Sequence, residues 1–495
     1  MLKSKPKFAP RLTLSLTSSI AYLALSPLLH ASERPMMVYG WPMAESDPDK
    51  ILLNQDAIMG TYVCPSLTRL NLQSSSSELV LLDRLQDSKT QWILTPKASV
   101  KWWSGKAVDS KDLSEFLKTE MPALVKKVGN DKWPLPKFTL EESGKDLKVV
   151  WESAPVFGPY ILSRSPFYRR GTDGIECAGT LKPDKTAVGL SLSGSLNGKD
   201  SQLIFKPEPP EAKSRDKSSD GFVSFRFGDE MHPQTFERQI EEELSCPSSL
   251  DLPIMTMIAW NPDGTYTKDE QFRKAMTYIL PRGALLRAGA GSLGDLISAP
   301  ILRVHPGYKK SLLVLPYDLK KADAILNQMG LIRSEKDGYR RIANGEILEI
   351  SIATDQRRDS SLLRKVLDDS FRALGMKLRM VDKDSKADGM LAGIAGSWPE
   401  NDLAPLLHSK LSANVWPWTY QFNEIDDAMN RYNLSLTQAK PDFTILENIH
   451  DLVYKREPFS VLVQHKSCMQ YGKGVSAPKA ISVKRPDWIR GVFER

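Results

Sequence analysis

Apolar and polar residues alternate over several short stretches in the first half of the chain, as they do in a β-strand that buries one face. The alternation predicts strands over Met36–Trp41, Gln91–Pro96, Ser99–Trp103 and Lys145–Glu152. Asp109 and Asp112 are spaced like a capping pair, which predicts a helix that starts there and runs toward Leu117. Two stretches rich in Ser, Pro or charge are predicted to be surface loops, namely Asn71–Ser77 and Lys206–Gly221.

Helical spacing of apolar residues is commoner in the second half. It predicts two amphipathic helices, one through Phe272, Ala275, Met276 and Ile279 and one through Ala322, Ile325, Leu326 and Met329. Further on come a strand at Ile347–Ile352, a helix at Asp359–Leu374 that Gly375 ends, and a strand at Met376–Val381. A strand–helix–strand unit of this kind builds a parallel sheet, so the chain is predicted to have an α/β fold.

The N-terminus has the layout of an export signal. Four positive charges precede the uncharged stretch Leu12–Leu29, and the small residues Ala31 and Ser32 follow it. Residues 1–31 are therefore predicted to be a signal peptide that is removed on export to the periplasm, with retention as a membrane anchor as the alternative. No later stretch of the chain is long and apolar enough to predict a membrane span.

Composition limits the classes of protein that remain. The 495 residues allow two to four domains of ordinary size, about 100–200 residues each. A hydrophobic fraction of 41% with both charge signs well mixed excludes a wholly disordered chain. The net charge is +7, but four basic residues and no acid lie in the first 31 residues, which leaves 63 basic and 60 acidic residues in the remainder. That balance of +3 gives no reason to expect a nucleic-acid partner.

The four cysteines, Cys64, Cys177, Cys246 and Cys468, would meet an oxidising environment after export. One or two structural disulfides are expected, and the spacing does not choose among the three full pairings. No CxxC motif occurs, so neither a thioredoxin-like redox site nor a compact zinc site is predicted.

Motifs of catalysis and cofactor binding give no support for an enzyme. Gly289–Gly294 fits GxGxxG but follows a helical pattern instead of a strand, so it is expected to be a flexible loop and not a nucleotide site. No HExxH, GxSxG or Walker motif is present, and the six His residues are scattered. The sequence therefore predicts neither catalysis nor a cofactor nor a metal site.

Four segments resemble one family in the right order along the chain. The first runs from Val100-Lys101-Trp102-Trp103-Ser104-Gly105-Lys106 to Asp112-Leu113, and the second from Trp260-Asn261 through Phe272-Arg273-Lys274-Ala275 to Arg282. The third is Tyr317-Asp318 with Ala322, Leu326 and Gly330, and the fourth is Leu363, Leu367, Gly375-Met376-Lys377-Leu378 and Asp388-Gly389-Met390. Together they resemble the extracellular solute-binding proteins of family 5, the peptide and nickel receptors of ABC importers.

The resemblance implies a periplasmic binding protein-like α/β fold in which two lobes close on a ligand around a hinge. It implies three domains: a discontinuous domain I (residues 32–66, 171–258 and 466–495), domain II (residues 67–170) and domain III (residues 259–465). The stretch from Lys182 to Leu252 matches the family poorly.

A ligand-binding loop is also implied by the resemblance. In peptide-binding members a Trp-x-x-Asp loop follows the strand that Asp388 introduces here, and its Asp pairs with the free amino group of the peptide. Here the segment contains Trp398, Asn401 and Asp402; without a gap Asn401 takes the position of the acid, and a slip of one residue places Asp402 there. Asn401 would leave a peptide amine without a counter-charge and would favour a neutral or anionic ligand. Packing of Trp398 and a loop-capping role for Asp402 are the alternative.

Two further groups of residues are candidates for ligand contact. Trp416, Trp418 and Tyr420 form an aromatic cluster in which Pro417 restricts the backbone, and aromatic side chains suit a cleft that accepts many ligands. Packing in the core or between domains is equally compatible with them. Met43 and Glu45 follow the first strand, where family members line the cleft, and a surface turn is the alternative.

The sequence thus predicts a monomeric periplasmic receptor that captures a peptide-like ligand and delivers it to the permease of an ABC transporter. A nickel chelate or an oligosaccharide is the alternative ligand. Outside this class, a sensory or scaffold receptor that no longer transports, and a hydrolase with an unknown site, remain open.

Overall fold

The computed structural model describes eighteen segments of the chain. They are residues 36–39, 62–71, 76–127, 136–155, 162–163, 166–171, 174–186, 189–196, 199–206, 222–227, 248–290, 294–303, 307–354, 361–383, 385–395, 403–410, 412–435 and 442–471. The predicted signal peptide lies outside the described residues. Within them, no helix is both long and apolar enough to cross a membrane.

Strands dominate the described part of the first half, and helices become frequent after residue 270. The strands are β1 (Met36–Tyr39), β2 (Thr68–Asn71), β3 (Ser76–Leu79), β4 (Leu82–Asp87), β5 (Gln91–Pro96), β6 (Phe138–Ser143), β7 (Asp146–Trp151), β8 (Tyr168–Gly171), β9 (Gly174–Cys177), β10 (Leu181–Thr186), β11 (Gly189–Leu196), β12 (Lys199–Lys206), β13 (Phe222–Phe227), β14 (Ser248–Trp260), β15 (Gly294–Asp295), β16 (Glu349–Thr354), β17 (Lys377–Asp382), β18 (Gly389–Ala395) and β19 (Phe459–Tyr471). The helices are α1 (Ser110–Lys127), α2 (Glu270–Tyr278), α3 (Arg282–Ala290), α4 (Leu319–Gln328), α5 (Ser361–Ala373), α6 (Ala404–Leu407), α7 (Asn423–Ser435) and α8 (Phe443–Arg456).

The largest sheet in the described residues has eleven strands. Their order is β10-β11-β12-β1-β13-β19-β14-β18-β16-β17, and β15 pairs with the edge of β19. Separate hydrophobic cores cover its two faces around β14, one containing Met255, Met257 and Ala259 and the other Ile258 and Trp260. Successive side chains of β14 point to opposite faces of the sheet, and because both faces are covered, they enter the two cores in turn.

A second, antiparallel sheet of order β4-β5-β7-β6 lies between residues 82 and 151 and packs against α1. Its inner face buries Trp92 and Leu94 of β5 and Leu147 and Val149 of β7. The strand predicted at Gln91–Pro96 is confirmed, and that at Lys145–Glu152 is confirmed to within one residue at each end.

The strand predicted at Ser99–Trp103 is wrong. Only Lys101 forms a β-bridge, to Ala107, and the chain then turns tightly, with Gly105 N–H donating to Trp102 O at 2.8 Å. Gly105 has φ +85°, a conformation that side-chain-bearing residues rarely adopt. The apolar alternation was misleading because Trp102 is buried at a turn, where its Nε1 donates to Asp112 Oδ2 at 2.9 Å.

The predicted start of α1 is confirmed as a reciprocal capping box. Asp112 N–H donates to Asp109 Oδ1 at 2.9 Å, and Asp109 N–H donates to Asp112 Oδ2 at 3.1 Å. The helix continues to Lys127, ten residues beyond the predicted stretch.

Of the two predicted loops, Asn71–Ser77 is partly wrong. Asn71 pairs with Ser76 in the β2–β3 hairpin, so both ends of the segment belong to strands. Lys206 ends β12, and residues 207–221 lie outside the described residues.

One disulfide is present among the described residues, between Cys64 and Cys177, whose Cα atoms are 5.0 Å apart. It closes a loop of 113 residues that contains the second sheet and α1. Beside it, Gly179 N–H donates to Val63 O at 3.1 Å, and a Cβ on Gly179 would lie 2.1 Å from that oxygen. Cys246 lies outside the described residues, and Cys468 lies in β19.

The predictions for the second half are largely confirmed. Helices α2 and α4 carry the predicted apolar residues except the last of each set, Ile279 and Met329, which are the C-cap residues. Strands β16 and β17, which precede and follow α5 in the chain, pair in parallel. Gly375 ends the helical segment with φ +70°, and a Cβ there would lie 2.3 Å from Gly338 O. The loop predicted at Gly289–Gly294 is shorter than expected, because Gly289 and Ala290 belong to α3 and Gly294 to β15.

Candidate ligand-binding site at the lobe crossing

Two long strands join two parts of the large sheet. The part made of β10, β11, β12, β1 and β13 is the first lobe, and the part made of β18, β16 and β17 is the second lobe. At one end β19 pairs with β13 through Ser467–Tyr471, and at the other end β14 pairs with β18 through Ile254–Trp260. The crossing is defined as Asp251–Met255 of β14 and Gln464–Ser467 of β19, where the pairing of these two strands passes from one lobe to the other.

The pairing of β14 with β19 is interrupted at the crossing. Asp251 pairs with Lys466 and Met255 with Gln464, so the register shifts between these two pairs. Pro253, within the interruption, has no N–H to donate to a neighbouring strand. A register shift of this kind interrupts the ladder of hydrogen bonds locally and increases the twist of the strands.

The carboxyl ends of strands from both lobes meet at the crossing. In the first lobe, β13 ends at Phe227, which pairs with Ser467, and β1 runs parallel to β13. In the second lobe, β18 ends at Ala395, which pairs with Ile254, and β16 runs parallel to β18. In open α/β sheets, ligands bind in the crevice outside the carboxyl ends of parallel strands. This convergence makes the crossing the candidate binding site.

Most of the predicted site residues belong to segments that leave these strand ends. Met43 and Glu45 follow β1, and Trp398, Asn401 and Asp402 follow β18; all five lie outside the described residues. The last residue of β18, Ala395, lies at the crossing, whereas the last residue of β1, Tyr39, pairs with Ser224, three residues before the end of β13. Ligand contact by the five residues stays a prediction.

The aromatic cluster lies in the hydrophobic core of the second lobe. Trp416, Trp418 and Tyr420 are 3%, 7% and 1% exposed. The rings of Trp416 and Trp418 stack with centroids 6.3 Å apart, and Phe459 packs against Trp416 and Tyr420. The sequence allowed either packing in the core or contact with a ligand. The contacts seen here are those of core packing, and contact with a ligand stays a prediction.

Tyr420 also ties the cluster to the strands beneath it. Its hydroxyl lies 2.8 Å from Trp260 O and 3.3 Å from Pro458 O, and it donates to this pair of carbonyls. Complete burial raises the pKa of Tyr420 well above its ordinary value, so the hydroxyl stays protonated.

A buried polar network joins α2 to the start of β19, close to this cluster. Arg273 donates to the carbonyls of Thr267, Lys268, Arg456 and Glu457 at 2.6–3.1 Å. Thr277 Oγ1 donates to Glu457 Oε2 at 3.2 Å and lies 2.5 Å from Ser460 Oγ, which accepts from Trp260 Nε1 at 2.8 Å. The network holds the second lobe's ends of β14 and β19 together.

Burial raises the pKa of Glu457 to about 8, although the positive charge of Arg282 and the hydrogen bond from Thr277 oppose the shift. Glu457 is also the C-cap residue of α8, with φ +46°. A left-handed backbone and a buried acid in one residue are both unfavourable, so the surrounding contacts must hold it in place.

Reading the sequence identified only part of this network. Arg273 belongs to a segment that resembles the family, but no pattern showed that it would bind backbone carbonyls 183 residues away. Glu457 carried no signal at all, since it lies in an ordinary charged stretch before Pro458. Among the described residues, no three His, Cys, Asp or Glu side chains come together as a metal site.

Comparison with known proteins agrees with this geometry. Residues 231–439 match the model of the bacterial extracellular solute-binding proteins, family 5 Middle. This range contains the second, third and fourth segments that carried the resemblance. This stretch of the chain is therefore similar in sequence to the middle part of the family 5 solute-binding proteins. The role of this family is to bind solutes for ABC importers and not to catalyse a reaction.

Solved structures show that the fold extends beyond the matched range. NikZ from Campylobacter jejuni in complex with Ni(L-His) is 16% identical, with a TM-score of 0.64 and coverage of 92% of this chain and 99% of that one. A putative peptide-binding protein AppA from Clostridium difficile is 14% identical, with a TM-score of 0.69 and the same coverage. The oligopeptide-binding protein AppA from Bacillus subtilis, in complex with a nonapeptide, is 16% identical, with a TM-score of 0.61 and coverage of 93% and 98%.

These likenesses establish the fold of the family 5 receptors for this chain and confirm the predicted periplasmic binding protein-like α/β class. No curated protein sequence matches the chain significantly.

Proposed function

We propose that this protein is an exported receptor that captures a peptide-like ligand between its two lobes and delivers it to the permease of an ABC transporter. The observation that carries the proposal is the convergence of strand ends from both lobes at the crossing. A ligand held there would contact both lobes at once, and its binding energy would favour the closed form over the open one.

The proposed domain division follows the sequence prediction. Domain I comprises residues 32–66, 171–258 and 466–495, domain II residues 67–170 and domain III residues 259–465. Support comes from the separate sheet between residues 82 and 151 and from the Cys64–Cys177 disulfide, which ties together the two chain segments that enter and leave domain II. We further propose that the receptor acts as a monomer.

Export to the periplasm is supported by two independent features. Residues 1–31 have the charge and apolar pattern of a signal peptide, and disulfides persist in oxidising compartments such as the bacterial periplasm.

A nickel chelate is the second candidate ligand. The reason is that NikZ, whose structure resembles this one over nearly its full length, was solved with Ni(L-His). Since the described residues form no metal site of their own, the metal would arrive already bound by a chelator.

A thermal-shift screen tests the proposal. The purified chain lacking residues 1–31 is mixed with a pool of peptides of two to nine residues, with Ni²⁺ plus L-His, or with oligosaccharides. A ligand at 100 times its Kd stabilises the folded state by about 2.7 kcal/mol, so the peptide pool should raise the Tm. Absence of any shift, together with no co-purified ligand in native mass spectrometry, would sink the proposal.

Two tryptophan variants then separate ligand contact from packing. Trp398→Ala should weaken peptide binding and leave the Tm of the free protein nearly unchanged. Trp418→Ala should lower the stability of the free protein by about 3–5 kcal/mol, because it empties a buried site. Unchanged affinity in Trp398→Ala would remove that residue from the site.

A further inference from the structure

A group of charged residues lies at the crossing, outside the hydrophobic cores. Asp295 of β15 forms ion pairs with Lys466 at 3.0 Å and with Arg303 at 3.4 Å. One carboxylate therefore faces two cations, and the group carries a net positive charge. Next to it on β19, His465 Nε2 bonds Thr256 Oγ1 at 2.7 Å.

Arg303 combines a fixed backbone with an accessible side chain. Its N–H donates to Oε1 of the fully buried Gln464 at 3.1 Å, and the preceding residues Ile301 and Leu302 are in the core. Its side chain is nonetheless 51% exposed. The backbone of Arg303 is thus anchored in the core while its side chain reaches solvent beside Asp295.

Two strongly buried arginines, Arg273 and Arg340, differ from Arg303 in this respect. Arg273 and Arg340 direct their guanidinium groups to backbone carbonyls and, in Arg340, to Asp323 and Asn327. Within the described segments, the ion pair that Arg303 forms is the one with Asp295, and its 3.4 Å is longer than a charge-assisted hydrogen bond. Gln464 Nε2, buried behind it, has no acceptor within the described part of the chain.

Sheet register places this group beside the candidate site. Ile394, Met255, Gln464 and Asp295 form one row across β18, β14, β19 and β15. Neighbouring strands are about 4.8 Å apart, so Gln464 lies about 10 Å from Ile394, the penultimate residue of β18. The segment after β18 resumes in the described residues at Leu403, in the same core as Met255 and Ile301.

We propose that Arg303, with Lys466 beside it, binds a carboxylate group of the ligand. This inference rests on the proposed receptor function and specifies the chemistry of its ligand. The carboxylate has two possible sources, the C-terminus of a peptide or an amino acid that chelates a metal ion, and both occur among the ligands of the structural relatives. Guanidinium is well suited to the task because it binds carboxylates through two parallel hydrogen bonds.

The experiment compares matched probes that differ only in the carboxylate. Tetra-alanine is compared with its C-terminal amide, and Ni²⁺ plus L-histidine with Ni²⁺ plus L-histidinamide, by isothermal titration calorimetry on the full mature chain. The wild-type protein should bind the acid about 10- to 100-fold more tightly than the amide in one of the two pairs, which identifies the source.

Variants connect that difference to Arg303. Arg303→Gln should lose most of the preference for the acid, Arg303→Lys should retain part of it, and affinity for the amide should stay unchanged. Asp295→Asn should bind the acid several-fold more tightly, because the two cations lose their internal counter-charge. Arg379→Gln is the matched control: Arg379 is an exposed arginine on β17 paired with Glu349, and its loss should alter neither affinity.

The possible failures are distinguishable. Equal affinity of the wild-type protein for acid and amide would overturn this inference and leave the receptor function standing. An unchanged preference in Arg303→Gln, or weaker acid binding in Asp295→Asn, would overturn it as well. Failure to bind any of the four probes would contradict the proposed function and this inference with it.

Discussion

Two buried ionisable side chains, Arg273 and Glu457, lie in the second lobe where β14 ends and β19 begins. Arg273 donates to four backbone carbonyls, and Glu457 occupies a left-handed, buried position beside it. An unmet buried carbonyl or an unpaired buried charge costs several times more than an ordinary surface contact contributes. The fold therefore depends on single residues here.

Replacing Glu457 should change how stability depends on pH. In the unfolded chain the carboxyl loses its proton near pH 4.5, whereas in the folded chain burial keeps it until about pH 8. Between these values the folded state binds one proton more, so this residue makes the free energy of unfolding fall as pH rises. Glu457→Gln removes that dependence, and its advantage over the wild type should grow from pH 5 to pH 8 in urea denaturation.

The exposed residue Glu142 supplies the control for this prediction. Glu142→Gln should follow the wild-type curve at every pH, because its side chain is solvated in both states. Parallel curves for the wild type and Glu457→Gln would contradict the assigned role.

At the scale of elements, the sequence predicted a helix or strand correctly where the signal for it lies within the segment itself. The helical spacing around Phe272 and Ala322, the Asp109–Asp112 box and the glycine after α5 each act within a few residues, and the structure has the elements they predict. The turn at Trp102 could not be predicted from alternation, because the side chain there is buried by residues distant in the chain, among them Asp112 of α1 and Phe167.

The Cys64–Cys177 disulfide is predicted to contribute to the stability of domain II. Cys64→Ser with Cys177→Ser should lower the stability of domain II by about 2–5 kcal/mol, because the unfolded 113-residue loop regains conformational freedom. Differential scanning calorimetry should show an earlier transition for part of the molecule. Reduction with dithiothreitol should reproduce the change in the wild type and add little to the variant, and an unaltered melting profile would count against it.

For the whole molecule, β14 and β19 are the strands that connect the two lobes within the described part of the large sheet. The register shift in β14, with Pro253 inside it, lies between their pairings with the two lobes. A bend at that point could change the angle between the lobes while the pairings within each lobe are kept.

Ligand binding should therefore make the molecule more compact. Small-angle X-ray scattering should give a smaller radius of gyration with the peptide pool that raises the Tm than without it. The same pool added to Trp398→Ala, under conditions where it does not bind, is the control. Tight binding with an unchanged radius of gyration would show that capture does not require the lobes to close.

The order of amino acids alone established the α/β class, five elements of the second half (α2, α4, β16, α5 and β17) and the resemblance to family 5. These depend on spacing along the chain, which is visible without a structure. Tertiary structure decided which cysteines pair, that Trp416, Trp418 and Tyr420 lie in the core, and that Arg303 lies beside the crossing. The reason is physical: each of these depends on contacts between residues far apart in the chain, and local periodicity carries no information about which distant surfaces meet.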